Sequence, residues 1–134
     1  MTLKTVAIVL YIQGTNPEAF GCERGWHPER PDCEAQYWWS NPLHIDLADL
    51  AARGPNGITL QALLSPEFWS DRDGHMGNDV ITASGITVNH AEAFNAAVAN
   101  ATKMGLSFGG GGNFAFGAGA NPPATFLLYD FSIK

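Results

Sequence analysis

HAEAFNAAVANA (His90–Ala101), KMGLSF (Lys103–Phe108), GGGGNFAFGAGANPP (residues 109–123) and ATFLLYDFSI (residues 124–133) together decide the fold. They read as a short capped helix, a strand, a glycine-rich loop and a closing strand. Asn89 is a good N-cap, and Glu92 at the third helical position completes a capping-box pattern. Phe94 and Val98, with Ala97 and Ala101, cover one helical face. Met104, Leu106 and Phe108 then alternate as in a strand. In the last segment Phe126, Leu128, Asp130 and Ser132 share one face, and Thr125, Leu127, Tyr129, Phe131 and Ile133 the other. A strand apolar on both faces is expected in the middle of a sandwich.

Outward from this stretch, Thr5–Gln13 is a run of β-branched and aromatic residues, expected as a buried strand. Gly14–Asn41 reads as an irregular, cysteine-containing loop broken by Pro17, Gly21, Gly25, Pro28 and Pro31, and Tyr37, Trp38 and Trp39 end it. Leu43–Leu47 alternates as a half-exposed strand, and Asp49–Gly57 turns at Gly-Pro-Asn-Gly. Ile58–Leu64 is expected to be a strand, and Pro66–Asp79 a polar loop containing Trp69. There is no internal repeat or linker, so residues 1–134 are expected to form one β-sandwich domain.

Composition fits a folded domain: 46% of the 134 residues are hydrophobic and 15% charged. Fifteen glycines and eight prolines suit an all-β chain with long loops. The net charge of −6 argues against a nucleic-acid partner, which needs clustered Lys and Arg, and against an anionic membrane surface. The longest apolar run, Val6–Ile12, is far short of the roughly 20 residues of a membrane-crossing helix, so no membrane insertion is expected. That run superficially resembles a signal peptide after Lys4, but Gln13-Gly14-Thr15 follows where cleavage-site residues belong, which favours a buried strand. Cys22 and Cys33 are expected to form a disulfide closing a short surface loop, worth about 3 kcal/mol in an oxidising compartment. Two free thiols are the alternative, and a zinc site of Cys22, His27 and Cys33 lacks paired ligand spacing.

The succession PLHIDLADL, ITLQALLSPEFWSDRDG, EAFNAAVANATKMGLSFGGGGNFAFG and ATFLLYDFSI resembles the jelly-roll β-sandwich domains of bacterial extracellular proteins. These include galactose-binding-like carbohydrate-binding modules and the laminin-B-like domain. The resemblance covers Pro42–Ile133 and rests on structural motifs. It implies an all-β fold, an antiparallel jelly-roll β-sandwich with one short helix, outside the cell. It implies that Met1–Asn41 replaces part of the usual sheet, offers no counterpart to the Cys22–Cys33 loop, and transfers no binding residue.

Trp26, Tyr37, Trp38, Trp39 and Trp69 are the ligand candidates, because flat aromatic faces stack on the C–H face of a sugar ring. Against this stands the ordinary role of tryptophan as core filler, which is the expectation for each one singly. Asp71-Arg72-Asp73-Gly74 with Asp79 resembles part of a calcium loop; Asp71, Asp73 and Asp79 are the candidate ligands of a structural calcium, and a solvated turn is the simpler alternative. The glycines at 109–112 lack the Gly-Lys-Ser/Thr of a phosphate loop. Histidines 27, 44, 75 and 90 are scattered, none paired at metal spacing. Glu67, Asp71 and Asp73 form the one close acidic group that a glycosidase would require, and no G-x-S-x-G elbow occurs, so no enzyme is expected.

Two functions are therefore expected from the sequence. The first is a non-catalytic extracellular module that binds a polysaccharide or other glycan through loop aromatics. The second is a structural subunit or decoration protein of a virion or cell-surface assembly, self-associating or bound to a lattice of other subunits. Both place the chain on an exposed surface, secreted or on a virion.

Overall fold

A computed structural model describes residues 7–14, 37–71, 74–83, 85–109 and 125–134. The order is β1 (Ala7–Gly14), β2 (Tyr37–Ser40), β3 (Ile45–Asp46), α1 (Leu47–Arg53), β4 (Trp69–Ser70), β5 (Val80–Ala83), β6 (Ile86–Asn89), α2 (His90–Ala99) and β7 (Ala101–Gly109). The fold is mostly antiparallel strand with two short helices, one more than the sequence suggested.

Strand β1 is the axis. Along one edge it pairs with β7 from Ala7↔Gly109 to Gln13↔Lys103, with an irregularity before Gly14. Along the other edge its two halves have different partners: Tyr11, Ile12 and Gln13 face β2, while Ala7 and Ile8 face β3. Between them the partner chain leaves the ladder at residues 41–44, where Pro42 has no N–H to give. Ser40 closes the gap. Its buried hydroxyl accepts the Leu10 N–H at 3.0 Å and donates to the Leu43 carbonyl at 2.7 Å. Strand β4 adds to the far side of β2 through Trp39↔Ser70 and Ser40↔Trp69. Strands β5 and β6 pair separately as a hairpin, with Gly85 in the left-handed region at φ 78°.

Successive side chains on a strand face opposite ways, and this sorts the sheet into two faces. Ile12, Trp38 and Trp69 lie on the face that receives α2, and with Phe94 and Ala97 they form the buried core. Phe94 meets Trp38 edge-on, with ring centroids 5.2 Å apart and planes at 83°, and also contacts Trp69 at 6.0 Å. The helix sits so close to β1 that a Cβ on Gly14 would overlap the Ala97 carbonyl oxygen and lie 2.6 Å from the Ala97 Cα. Ala7, Val9 and Trp39, on the opposite face, are buried too. Around these residues the sheet is covered on both sides.

The expected helix is present, and the Asn89 side chain accepts the Ala91 N–H at 3.1 Å. The expected strands Thr5–Gln13 and Met104–Phe108 correspond to β1 and β7. Three expectations need correction. Tyr37–Ser40, within the span expected as irregular, is a strand, and it sets Trp38 and Trp39 on opposite faces. Residues 47–53, expected as strand end and turn, form α1, because Leu47, Leu50 and Ala51 recur at helical spacing and Gly54 ends the helix at φ 58°. Ile58–Leu64 is in no ladder; Trp69 Nε1 donates to the Leu63 carbonyl at 2.7 Å and so ties this segment to the core.

The closing segment departs most. Residues 125–134 are in no strand, and Phe126, Leu127, Leu128, Tyr129, Phe131 and Ile133 are 40–70% exposed. Alternating apolar residues make a chain fit for a ladder, but a ladder also needs an edge, and no described strand pairs with this segment. Phe126 rests on Phe108, with ring centroids 5.1 Å apart, and Tyr129 lies beside Gly57.

Phe94→Ala is expected to destabilise the fold by about 3–5 kcal/mol through the cavity between Trp38 and Trp69. Ser40→Ala is expected to cost about 1–3 kcal/mol by leaving the Leu10 N–H and the Leu43 carbonyl unpartnered. Urea unfolding followed by tryptophan fluorescence measures both.

Candidate functional site

Two groups of side chains stand apart from ordinary packing. The first is an aromatic shelf on the sheet face away from α2. Tyr11 and Tyr37 stack at 6.2 Å with planes 28° apart, Tyr37 and Trp39 stack at 6.4 Å, and Tyr11 lies 5.9 Å from Trp39. The rings come together because Tyr11 pairs with Trp39 across β1 and β2, and Tyr37 follows two residues along the strand. Gln13 bridges the polar ends: its Oε1 accepts the Tyr11 hydroxyl proton at 2.8 Å, and its Nε2 donates to the Tyr37 hydroxyl at 3.4 Å. Tyr37 is 40% exposed, and Tyr11 and Gln13 are half-buried. On the neighbouring strand Gly105 pairs with Tyr11, and a side chain there would meet open space. Burial, and secondarily the neighbouring Tyr37 hydroxyl, raises the Tyr11 pKa above its usual 10.0. The Trp39 indole N–H is buried without an acceptor. Such an orphan donor costs about 1–3 kcal/mol.

This placement revises the expected ligand residues. Of the four that are described, only Tyr37 offers an open face. Trp38 and Trp69 are 0% and 2% exposed and are core, because their strand positions face α2. Trp39 is buried behind Tyr37 and reaches the surface through the stack. Trp26 lies outside the described residues, as do Cys22 and Cys33. Tyr11 and Gln13 are new members of the site. The signal for them was the alternation of β1, which puts residues 11 and 13 on the face opposite Ile12.

The second group is Asp71, His75 and His90. Asp71 stands two residues beyond Trp69, so its side chain falls on the same face of the chain. His90 stands four residues before Phe94, so it lies on the same buried helical stripe. Two residues of strand advance about 6.6 Å and one helical turn about 5.4 Å. The contact between Trp69 and Phe94 therefore brings Asp71 beside His90. Asp71 and His90 are 5% and 4% exposed. Asp71 Oδ2 lies 3.2 Å from His75 Nδ1 and 3.7 Å from His90 Nε2, and the two imidazole rings are 4.9 Å apart. No two histidines stand at metal spacing along the sequence, and it is the helix contact that joins residues 75 and 90.

The calcium reading placed Asp71, Asp73 and Asp79 together. Asp79 Oδ2 accepts the Met76 N–H at 2.8 Å, Asp71 Oδ1 accepts the His75 N–H at 2.9 Å, and Asp73 lies outside the described residues. The group that assembles around Asp71 contains two imidazole nitrogens, whereas calcium takes oxygen ligands. Glu67, from the expected acidic group, is exposed, and the Ser65 hydroxyl donates to it, holding its carboxyl below the usual range. A glycosidic general acid needs the opposite shift. Among the described residues no helix is long and apolar enough to cross a membrane.

The chain matches no known protein family, no curated protein and no solved structure.

Because its pKa is raised, Tyr11 holds its proton in the folded chain at pH values where the unfolded chain has lost it. Its contribution to stability is complete below about pH 10 and is lost as pH rises through the raised value. Ultraviolet titration of the three tyrosines should show one late-ionising component, absent in Tyr11→Phe.

Proposed function

We propose that this chain is a non-catalytic glycan-binding module and that the shelf of Tyr11, Gln13 and Tyr37 is its binding surface. The supporting observation is the exposed Tyr37 ring stacked on Tyr11 and Trp39, with an amide side chain linking the two phenols. A pyranose laid on Tyr37 gains C–H contact with a ring face, and its hydroxyls find the donor and acceptor atoms of Gln13 and the phenols. A ligand oxygen that reaches the Trp39 indole edge would also satisfy its orphan N–H. The open space above Gly105 leaves room for a second sugar residue along the sheet. Such a module works outside the cell or on its surface, where polysaccharide is met. The same reading takes the antiparallel sheet as one layer of a jelly-roll sandwich; burial of Ala7 and Val9 on the face opposite α2 supports a second layer.

A second reading, a structural subunit of a virion or surface assembly, is favoured by one separate observation. The exposed apolar residues at 126–133 border a wide groove of about 1940 Å³ that is also lined by Ile8, Leu10, Leu106 and Phe108. Apolar surface on this scale marks contact with a partner, and the partner of this reading is a second copy of the chain.

Intrinsic fluorescence during titration with a panel of neutral and acidic polysaccharides tests the first reading. A saturable change is expected, lost at least tenfold in affinity in Tyr37→Ala and retained in Leu127→Asp. A flat response across the panel would overturn it. Light scattering after size-exclusion chromatography tests the second: a defined oligomer that Leu127→Asp dissolves supports it, and a monomer at all concentrations removes it.

A further inference from the structure

We propose that Asp71, His75 and His90 form a binding site for one divalent transition-metal ion of the zinc type. This site is separate from the aromatic shelf and independent of the glycan reading. It would join the chain that follows β4 to the first turn of α2.

The geometry supplies the first argument. Ligand atoms about 2.0–2.2 Å from a tetrahedral zinc stand about 3.3–3.6 Å from one another. Asp71 Oδ2 lies 3.2 Å from His75 Nδ1 and 3.7 Å from His90 Nε2, and one ligand atom from each residue falls within 4.8 Å of the others. The two distances from Asp71 Oδ2 therefore already bracket those a bound ion imposes.

The proton positions supply the second. His90 Nδ1 lies 3.2 Å from the Asp79 carbonyl oxygen, which can only accept. With the proton on Nδ1, Nε2 is the ring atom whose lone pair can bind a metal. That lone pair faces a carboxylate oxygen, Asp71 Oδ2, in a buried setting. A cation seated between these two atoms would bond to both.

The supporting shell is the third. Metal-bound imidazoles and carboxylates are held by outer hydrogen bonds that fix their orientation. Here His90 is held by the Asp79 carbonyl, Asp71 Oδ1 accepts the His75 N–H, and Asp79 Oδ2 accepts the Met76 N–H. The Asp79 carbonyl also accepts the His90 backbone N–H at 3.1 Å, so one residue fixes both the ring and the start of the helix. Two imidazoles and one carboxylate suit zinc, cobalt or nickel over calcium or magnesium. The His75 side chain is 42% exposed, which gives the ion a way in and leaves a position for water.

The test uses the full chain, purified without a histidine tag and stripped with a chelator. Cobalt(II) is added as the spectroscopic probe and zinc as its competitor. One cobalt per chain is expected, with visible bands of a four- or five-coordinate ion, displaced by one zinc and untouched by millimolar calcium. His75→Ala, at a half-exposed ring, should weaken binding at least tenfold without unfolding the chain, and Asp71→Asn should do likewise. The double variant Cys22→Ser/Cys33→Ser and the variant His44→Ala should bind as the parent does. Absence of the cobalt bands would overturn the proposal, as would binding that survives His75→Ala or disappears in the double cysteine variant.

Discussion

The edge-on contact of Phe94 with Trp38, backed by Trp69, is the interaction on which the rest of this structure depends. Three large rings fill the space between the sheet and one short helix, with Ile12 and Ala97 closing the sides. Burying side chains of this kind contributes about 1.5–3 kcal/mol each, far more than any surface pair in the chain. A ten-residue helix is too short to persist alone in water, so α2 exists because this contact holds it. Gly14 allows the approach, since any side chain there would displace the helix backbone.

Both candidate sites follow from that contact. Trp38 turns inward to meet Phe94, so its neighbours Tyr37 and Trp39 must turn outward, and Tyr11 meets them from β1. The shelf is therefore the reverse side of the core and inherits its rigidity. At the other end the helix carries His90 one turn before Phe94 and sets it against Asp71, two residues past Trp69. One site uses the alternation of a strand and the other uses the match between a strand step and a helical turn.

The sequence was most legible where the pattern is local. The Asn89 cap, the helical stripe of Phe94, Ala97 and Val98 (Ala101, expected with them, opens β7), and the alternation of β1 and β7 all depend on neighbours within a few residues. It was least legible where two readings of one pattern compete. LADLAAR alternates at its start and repeats at helical spacing throughout, and the helical period prevailed once β3 had ended after two residues. ATFLLYDFSI has every local mark of a central strand, yet residues 125–134 join no ladder. Tryptophan followed its ordinary role as core filler: Trp38, Trp39 and Trp69 are all buried, and strand alternation puts Trp38 and Trp39 on opposite faces.

The sequence by itself determined the period of β1, β7 and α2, the start of α2 and the acidic, low-charge character of the chain, because the periods and the helix start are set by bonds and sterics between near neighbours and the charge by composition. The tertiary structure alone decided that β1 divides its edge between β2 and β3, that Trp38 and Trp69 are core while Tyr37 is surface, and that His75 meets His90. These are relations between residues far apart along the chain. They depend on which buried surfaces fit together, and that fit is a property of the whole packed core.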